Sequence, residues 1–107
     1  MPASADQPDL PLSSQERGRG GEVTLVVALP EGVALHARPA AELVRAASRL
    51  QTPVTVSANG KRANARSILE VLALGAVGGT ELTLSAAGPS ASDAVQTLAE
   101  LVTGLGD

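Results

Sequence analysis

The sequence predicts an α+β domain, with helices covering one face of an antiparallel sheet. Three observations support this prediction. Four segments carry the β-branched or alternating pattern of strands, and three others carry apolar residues at helical spacing. The dipeptide Asn59–Gly60 lies between two of the strand segments. It favours a type I′ hairpin turn, which needs positive φ angles at both positions and makes the flanking strands antiparallel.

The strand segments are distinguished by composition and by their borders. Residues 22–30 are rich in β-branched residues and end at a proline, which predicts a well-buried strand. A second strand opens at Pro53 and alternates apolar with polar residues. After the hairpin turn, residues 61–66 form the return strand, and residues 80–86 alternate again.

The helical segments have recognisable starts and ends. Residues 37–50 carry an amphipathic stripe, and Pro39 is tolerated because the first turn needs no amide donor. Ser67 starts a short helix that ends at Gly75, and Ser67 with Glu70 fits a reciprocal capping box. A third stripe runs from Ala91 to Leu105. The predicted order is β-α-β-β-α-β-α.

The chain divides into two parts by composition. Residues 1–21 are rich in proline, serine and glycine and have no apolar periodicity, which predicts a disordered tail. This tail is either a solvated extension or a docking or localisation segment. Residues 22–107 form one domain of ordinary size.

Composition excludes several classes of function. The chain has no cysteine and one histidine, which excludes disulfides and cysteine metal sites and disfavours a histidine-based zinc site. We expect neither a metal nor a cofactor. The chain has no aromatic side chain on which nucleic-acid bases could stack. No apolar run approaches the roughly 18 residues of a membrane span, and no secretory signal is recognisable. We therefore expect a cytoplasmic protein that does not insert into membranes.

Charge is unevenly distributed although the net charge is only −3. Beyond residue 21, every basic residue lies between positions 38 and 66, where Glu42 is the single acid. The remainder of the predicted domain is acidic. Such a basic zone attracts anions or acidic partners.

His36 is predicted at or next to the start of the first long helix. Free backbone amides and a partial positive charge at a helix start stabilise an anion. Arg38, two residues on, offers a guanidinium that matches phosphate oxygens. His36 is therefore either a phosphoryl acceptor or an ordinary capping or surface residue. No serine, cysteine or carboxylate completes a hydrolytic triad in the sequence around it.

The short helix raises two further alternatives. Ser67 is explained fully as a helix cap, although a regulatory phosphate is also favoured at a helix start. If Val71 and Leu74 face the sheet, other apolar residues of this helix point outward and form a protein-binding patch. Otherwise the helix is almost engulfed. The outward-facing residues would be Ile68, Leu69 and Leu72.

Two longer motifs carry a family resemblance. The segments “LHARPAAELV” and “NGKRANARSILEVLALGAVGGTELTLSA” resemble the histidine-containing phosphocarrier protein (HPr) family of the bacterial sugar phosphotransferase system. The resemblance spans residues 22 to 105. It implies an open-faced β-sandwich, in which three helices cover one face of a four-stranded antiparallel sheet. It also implies a monomer that is phosphorylated by enzyme I and donates to the IIA domains of sugar permeases.

The resemblance assigns roles to individual residues. It implies that His36 carries the phosphoryl group on Nδ1 and that Arg38 stabilises it. Ser67 matches a serine that a dedicated ATP-dependent kinase modifies in some members. Family members commonly have glycine where this chain has Ala34. The residues implied in partner binding are Ala37, Pro39, Arg45, Arg49, Ile68, Leu69, Leu72 and Gly75.

Other functions remain open from the sequence. A regulatory protein of carbon catabolite control would act through Ser67 and the apolar patch, and the related nitrogen-regulatory branch uses similar carriers. Nucleic-acid binding by the basic zone is disfavoured by the missing aromatic residues and the acidic balance.

Overall fold

A computed structural model describes residues 22–106; the predicted tail at residues 1–21 lies outside the described residues, as does Asp107. The elements of the described part follow the predicted order. The strands are β1 (Val23–Ala28), β2 (Thr55–Ala58), β3 (Lys61–Asn64) and β4 (Glu81–Ala86). The helices are α1 (Ala37–Arg49), α2 (Ile68–Ala73) and α3 (Ala91–Thr103).

The four strands form one antiparallel sheet in the order β1-β4-β2-β3. Strand β4 is central because it pairs with both β1 and β2. Leu84 lies opposite Leu25 on one side and Val56 on the other, and it is fully buried. The predicted fold class, an open four-stranded sheet with three helices, is confirmed.

The predicted hairpin turn is confirmed between β2 and β3. Asn59 has a φ of 55° and Gly60 a φ of 75°, the left-handed values that a type I′ turn requires. The return strand is shorter than predicted and ends at Asn64 rather than at residue 66. The chain turns there because the Asn64 side-chain oxygen accepts from the Arg66 amide at 2.9 Å.

The prediction that the first strand is well buried was wrong. Along β1 half-buried and exposed residues alternate, and Val26 is 52% exposed. The physical reason is the position of β1 at the edge of a sheet that carries helices on one face only. Its β-branched composition reflects a pleated surface rather than complete burial.

The predicted capping box of α2 is confirmed in only one half. The Ser67 hydroxyl accepts from the Glu70 amide at 3.3 Å. The Glu70 carboxylate does not bond back to Ser67; it accepts from the Asn64 amide at 2.8 Å. The Ser67 amide already donates to the Asn64 carbonyl at 2.9 Å, so it does not need the carboxylate.

The core is built from aliphatic side chains. Leu43 of α1, Leu98 of α3 and Leu82 of β4 are fully buried in it. Within residues 22–106 no polar or charged residue is fully buried. A reactive polar group in this part of the chain therefore acts at the surface, where a second protein can reach it. None of the helices described is long and apolar enough to span a membrane.

Candidate functional site

His36 occupies the N-cap position of α1 with an extended backbone, at φ −119° and ψ −165°. Its carbonyl accepts the first helical hydrogen bond, from the Ala40 amide at 2.9 Å. Its side chain makes no capping hydrogen bond, and the residue is exposed. The alternative that His36 serves as a side-chain cap is therefore wrong, and its imidazole faces solvent.

The first turn of α1 offers a place for an anion beside that imidazole. The amides of Ala37 and Arg38 have no partner within the helix, whereas Pro39 has no amide hydrogen at all. No acidic residue lies in this turn, so the partial positive charge of the helix end is not neutralised locally. Pro39 and Ala40 are buried and anchor the turn on the core.

Arg38 lies in the same turn, two residues after His36, and is exposed. None of the side-chain hydrogen bonds formed among residues 22–106 involves its guanidinium. Within residues 22–106 the Arg38 side chain therefore holds no other element in place by a hydrogen bond. A guanidinium in this position is able to meet an oxyanion held on the neighbouring imidazole.

The loop before His36 accommodates Ala34 without left-handed backbone. Among residues 22–106 Asn59 is the single non-glycine residue with a positive φ, so Ala34 adopts an ordinary conformation. The buried side chains of Val33 and Leu35 flank it. The His36 amide donates to the Ala34 carbonyl at 2.9 Å, which closes a tight turn directly before the helix.

The apolar residues of α2 divide between core and surface. Val71 is fully buried and Leu74 is 2% exposed, whereas Leu69 is 76% exposed. Ile68 and Leu72 are each 37% exposed. The prediction of an outward-facing patch is confirmed, and the alternative of an engulfed helix is wrong. We call Ile68, Leu69 and Leu72 the α2 patch.

Val77 was not singled out from the sequence, yet its side chain is 57% exposed. It follows Ala76, whose carbonyl accepts from the Leu35 amide at 2.9 Å, directly before His36. An exposed apolar residue therefore lies beside the loop that carries the histidine. Its exposure had no sequence signal, because a single valine among glycines has no periodicity to interpret.

Arg45 and Arg49 lie one turn apart on the exposed side of α1. They line one shallow depression together with Glu42, Ala46 and Leu101. We call Arg45 and Arg49 the basic strip of α1; Glu42 is the acid beside them. Gly75, also predicted to meet partners, is exposed directly after α2 and its C-cap residue Leu74.

Arg66 has a structural role that the sequence did not reveal. Its guanidinium donates to the carbonyl of Ala47 at 3.3 Å and to that of Leu50, both at the C-terminal end of α1. The side chain next to Ser67 thereby binds the start of α2 to the end of α1. A cation at a helix C-terminus is favourable. The Arg66 guanidinium comes from outside α1, so no local sequence motif predicts this contact.

Residues 22–104 match the family described as “PTS HPr component phosphorylation site”. The chain belongs to the HPr family. HPr proteins are phosphocarriers of the phosphotransferase system, which takes part in sugar transport.

Relatives in the HPr family cover the same domain. The phosphocarrier protein HPr of Vibrio cholerae is 46% identical over 68 residues, which are 64% of this chain and 80% of that protein. The phosphocarrier protein HPr of Streptomyces coelicolor is 49% identical over 69 residues, 64% of this chain and 74% of that protein.

Solved HPr structures have the same fold. The HPr of Bacillus anthracis superposes with a TM-score of 0.72 at 32% identity, covering 77% of this chain and 98% of that one. The Bacillus subtilis catabolite repression HPr, Crh, superposes with a TM-score of 0.59 at 36% identity, covering 78% and 100%.

Proposed function

We propose that this HPr-family protein accepts a phosphoryl group on His36 from enzyme I and passes it to the IIA domains of sugar permeases. The observation that carries the proposal is the exposed His36 imidazole at the N-cap of α1, without a capping bond. A phosphoryl group on that ring meets the free amides of the first turn and the positive helix end. Arg38 supplies further positive charge beside it.

The proposed chemistry is the transfer of a phosphoryl group from enzyme I to the His36 ring. Nδ1 of His36 attacks the phosphorus atom, a phosphorus–nitrogen bond forms, the bond between phosphorus and enzyme I breaks, and unphosphorylated enzyme I leaves. The Nδ1 lone pair is needed, so the ring attacks in its neutral form and its proton resides on Nε2. The first-turn amides and Arg38 stabilise the oxygens of the phosphoryl group without bonding to its phosphorus.

Two surface features support successive docking of different partners. The α2 patch and Val77 offer apolar area, and the basic strip of Arg45 and Arg49 favours acidic surfaces. We propose that the protein acts as a cytoplasmic monomer without a cofactor, bound to one partner at a time.

Incubation with enzyme I and phosphoenolpyruvate tests this function. We expect a label that is labile in acid and stable in base, present in wild type and absent from His36→Ala. Ser67→Ala is the matched control, because it removes the other candidate acceptor and should label normally. Wild-type protein that stays unlabelled with active enzyme I contradicts the proposal.

A second candidate function rests on Ser67. We infer that a kinase phosphorylates Ser67 and thereby regulates the protein. The catabolite repression HPr of Bacillus subtilis, which has the same fold, supports this inference. Ser67 is half-buried, and its hydroxyl is bonded to the Glu70 amide. Incubation with an HPr serine kinase and ATP distinguishes this role, because it yields an acid-stable ester that Ser67→Ala lacks. No such ester on wild type would dismiss it.

A further inference from the structure

Two tight turns face each other behind the histidine. In residues 30–33 the Val33 amide donates to the Pro30 carbonyl at 3.1 Å, and Gly32 has a φ of 82°. In residues 77–80 the Thr80 amide donates to the Val77 carbonyl at 2.9 Å. Gly79 there has a φ of 84°. Both turns therefore place glycine at the third position, as type II turns require. We call them the histidine-side turn and the support turn.

Backbone hydrogen bonds join the segments that hold these two turns. The Leu29 amide donates to the Thr80 carbonyl, and the Gly79 amide donates to the Leu29 carbonyl, each at 2.9 Å. The Leu35 amide donates to the Ala76 carbonyl at 2.9 Å. Because these bonds lie on both sides of the turns, the turns cannot move apart without breaking the backbone pairing that leads to His36.

Gly78 is the closest point between the turns. A Cβ added there would lie 2.7 Å from the Gly32 nitrogen, 3.0 Å from the Pro30 oxygen and 3.2 Å from the Glu31 Cα. Real Cβ atoms essentially never approach another heavy atom within 3.0 Å, and all three neighbours are backbone. The φ of Gly78 lies outside the left-handed region, so the contact, and not the backbone angle, requires glycine here.

We propose that Gly78 is a positioning residue for His36: its missing side chain lets the support turn fix the histidine-side turn from behind. The proposal rests on the carrier function proposed above. Gly32 is the residue of this loop with left-handed backbone, and its nitrogen is the atom nearest to an added Gly78 Cβ. Buried Val33 and Leu35 connect Gly32 rigidly to His36.

A methyl group at position 78 should therefore move His36 relative to the first-turn amides of α1. We expect Gly78→Ala to lower kcat for phosphorylation by enzyme I about tenfold to hundredfold, the effect of a displacement on the order of 1 Å. KM should change less than kcat, because the α2 patch is unaltered and Val77 is the one docking residue beside position 78. Gly104→Ala is the matched control, since its Cβ would make ordinary contacts of 3.6 and 3.7 Å.

NMR gives readouts independent of the transfer rate. In wild type, a nuclear Overhauser effect should connect the Gly78 Hα protons to the Gly32 amide. In Gly78→Ala, the His36 ring signals and the amides of residues 30–36 should shift while those of α3 do not. Loss of overall stability alone would not produce this localised pattern in the folded fraction.

Each result decides the proposal. A Gly78→Ala protein with wild-type kcat and unshifted His36 signals overturns it, as does the absence of the wild-type Overhauser effect. If Gly78→Ala does not fold, the Overhauser effect between Gly78 and Gly32 in wild type still tests the proposed contact. If wild type is not phosphorylated, the carrier function fails, while the His36 ring signals still test the positioning claim.

Discussion

The side-chain amide of Asn59 donates to the carbonyl of Leu74 at 2.9 Å, and so the β2–β3 turn holds the C-terminal end of α2. Lys61 adds a second donor from the same hairpin, at 3.2 Å from the Ala73 carbonyl. The short helix that carries the α2 patch is thereby bonded at its end by another element. A helix of 6 residues has little stability of its own, so these bonds matter for its position.

Asn59→Asp should destabilise the protein by about 1–3 kcal/mol, since it replaces the donor to Leu74 by an oxygen that repels the carbonyl. Aspartate tolerates the left-handed conformation of the turn, so the backbone need not change. Urea denaturation measures the effect. Asn59→Gly keeps the turn and removes the side chain without introducing repulsion, so it should lower the free energy of unfolding by less than Asn59→Asp. Equal stability of the aspartate variant and wild type would show that the bond is not formed in solution.

Arg66→Ala should lower the free energy of unfolding by about 1 kcal/mol, because the Ala47 and Leu50 carbonyls lose a charged donor. The matched control is Arg62→Ala, an exposed arginine on β3 opposite Ser57. That substitution should leave the urea midpoint nearly unchanged. If both substitutions have the same effect, the helix-end contact of Arg66 adds nothing specific.

Glu70→Ala should destabilise the start of α2, because its carboxylate accepts from the Asn64 amide. Glu70→Gln keeps an acceptor oxygen and should retain most of the stability. The difference between the two variants in urea denaturation is expected near 1 kcal/mol. A glutamine variant as unstable as the alanine variant would mean that charge at the helix start, and not the hydrogen bond, is responsible.

Leu69→Gln should leave stability within about 0.5 kcal/mol of wild type, since the side chain is 76% exposed. It should nevertheless slow phosphoryl transfer by raising KM for enzyme I, because the α2 patch loses its most exposed apolar group. Val26→Gln is the control, as Val26 is 52% exposed but lies on the open face of the sheet. A rate loss shared by both variants would indicate that any exposed apolar-to-polar substitution slows transfer, and that the α2 patch has no specific role.

The hairpin, the helix starts and the outward patch were predictable, because each depends on residues close together in the sequence. Asn59–Gly60 determines its turn locally, and the spacing of Val71 and Leu74 determines which side of α2 is buried. The open environment of β1 was not predictable from composition, because β-branched residues suit edge and central strands alike.

The contacts between residues far apart in the sequence were not predictable either. The Arg66 bonds join residues 16 and 19 positions apart, and Gly78 meets Gly32 across the fold. No periodicity or motif encodes which backbone atoms meet in three dimensions. For His36 the helix-start pattern left a phosphoryl acceptor, a cap and a surface residue open. The uncapped side chain removes the cap, and phosphorylation of the exposed ring stays a prediction.

The decisive measurement is which ring nitrogen of His36 carries the phosphoryl group. Wild-type protein labelled uniformly with nitrogen-15 is phosphorylated by enzyme I, and long-range proton–nitrogen spectra of the His36 ring are recorded before and after. We expect a large shift of the Nδ1 signal, with a phosphorus coupling at that nitrogen alone. Phosphorylated protein whose His36 ring signals are unchanged would show that His36 is not the acceptor, because the group would then reside on another residue.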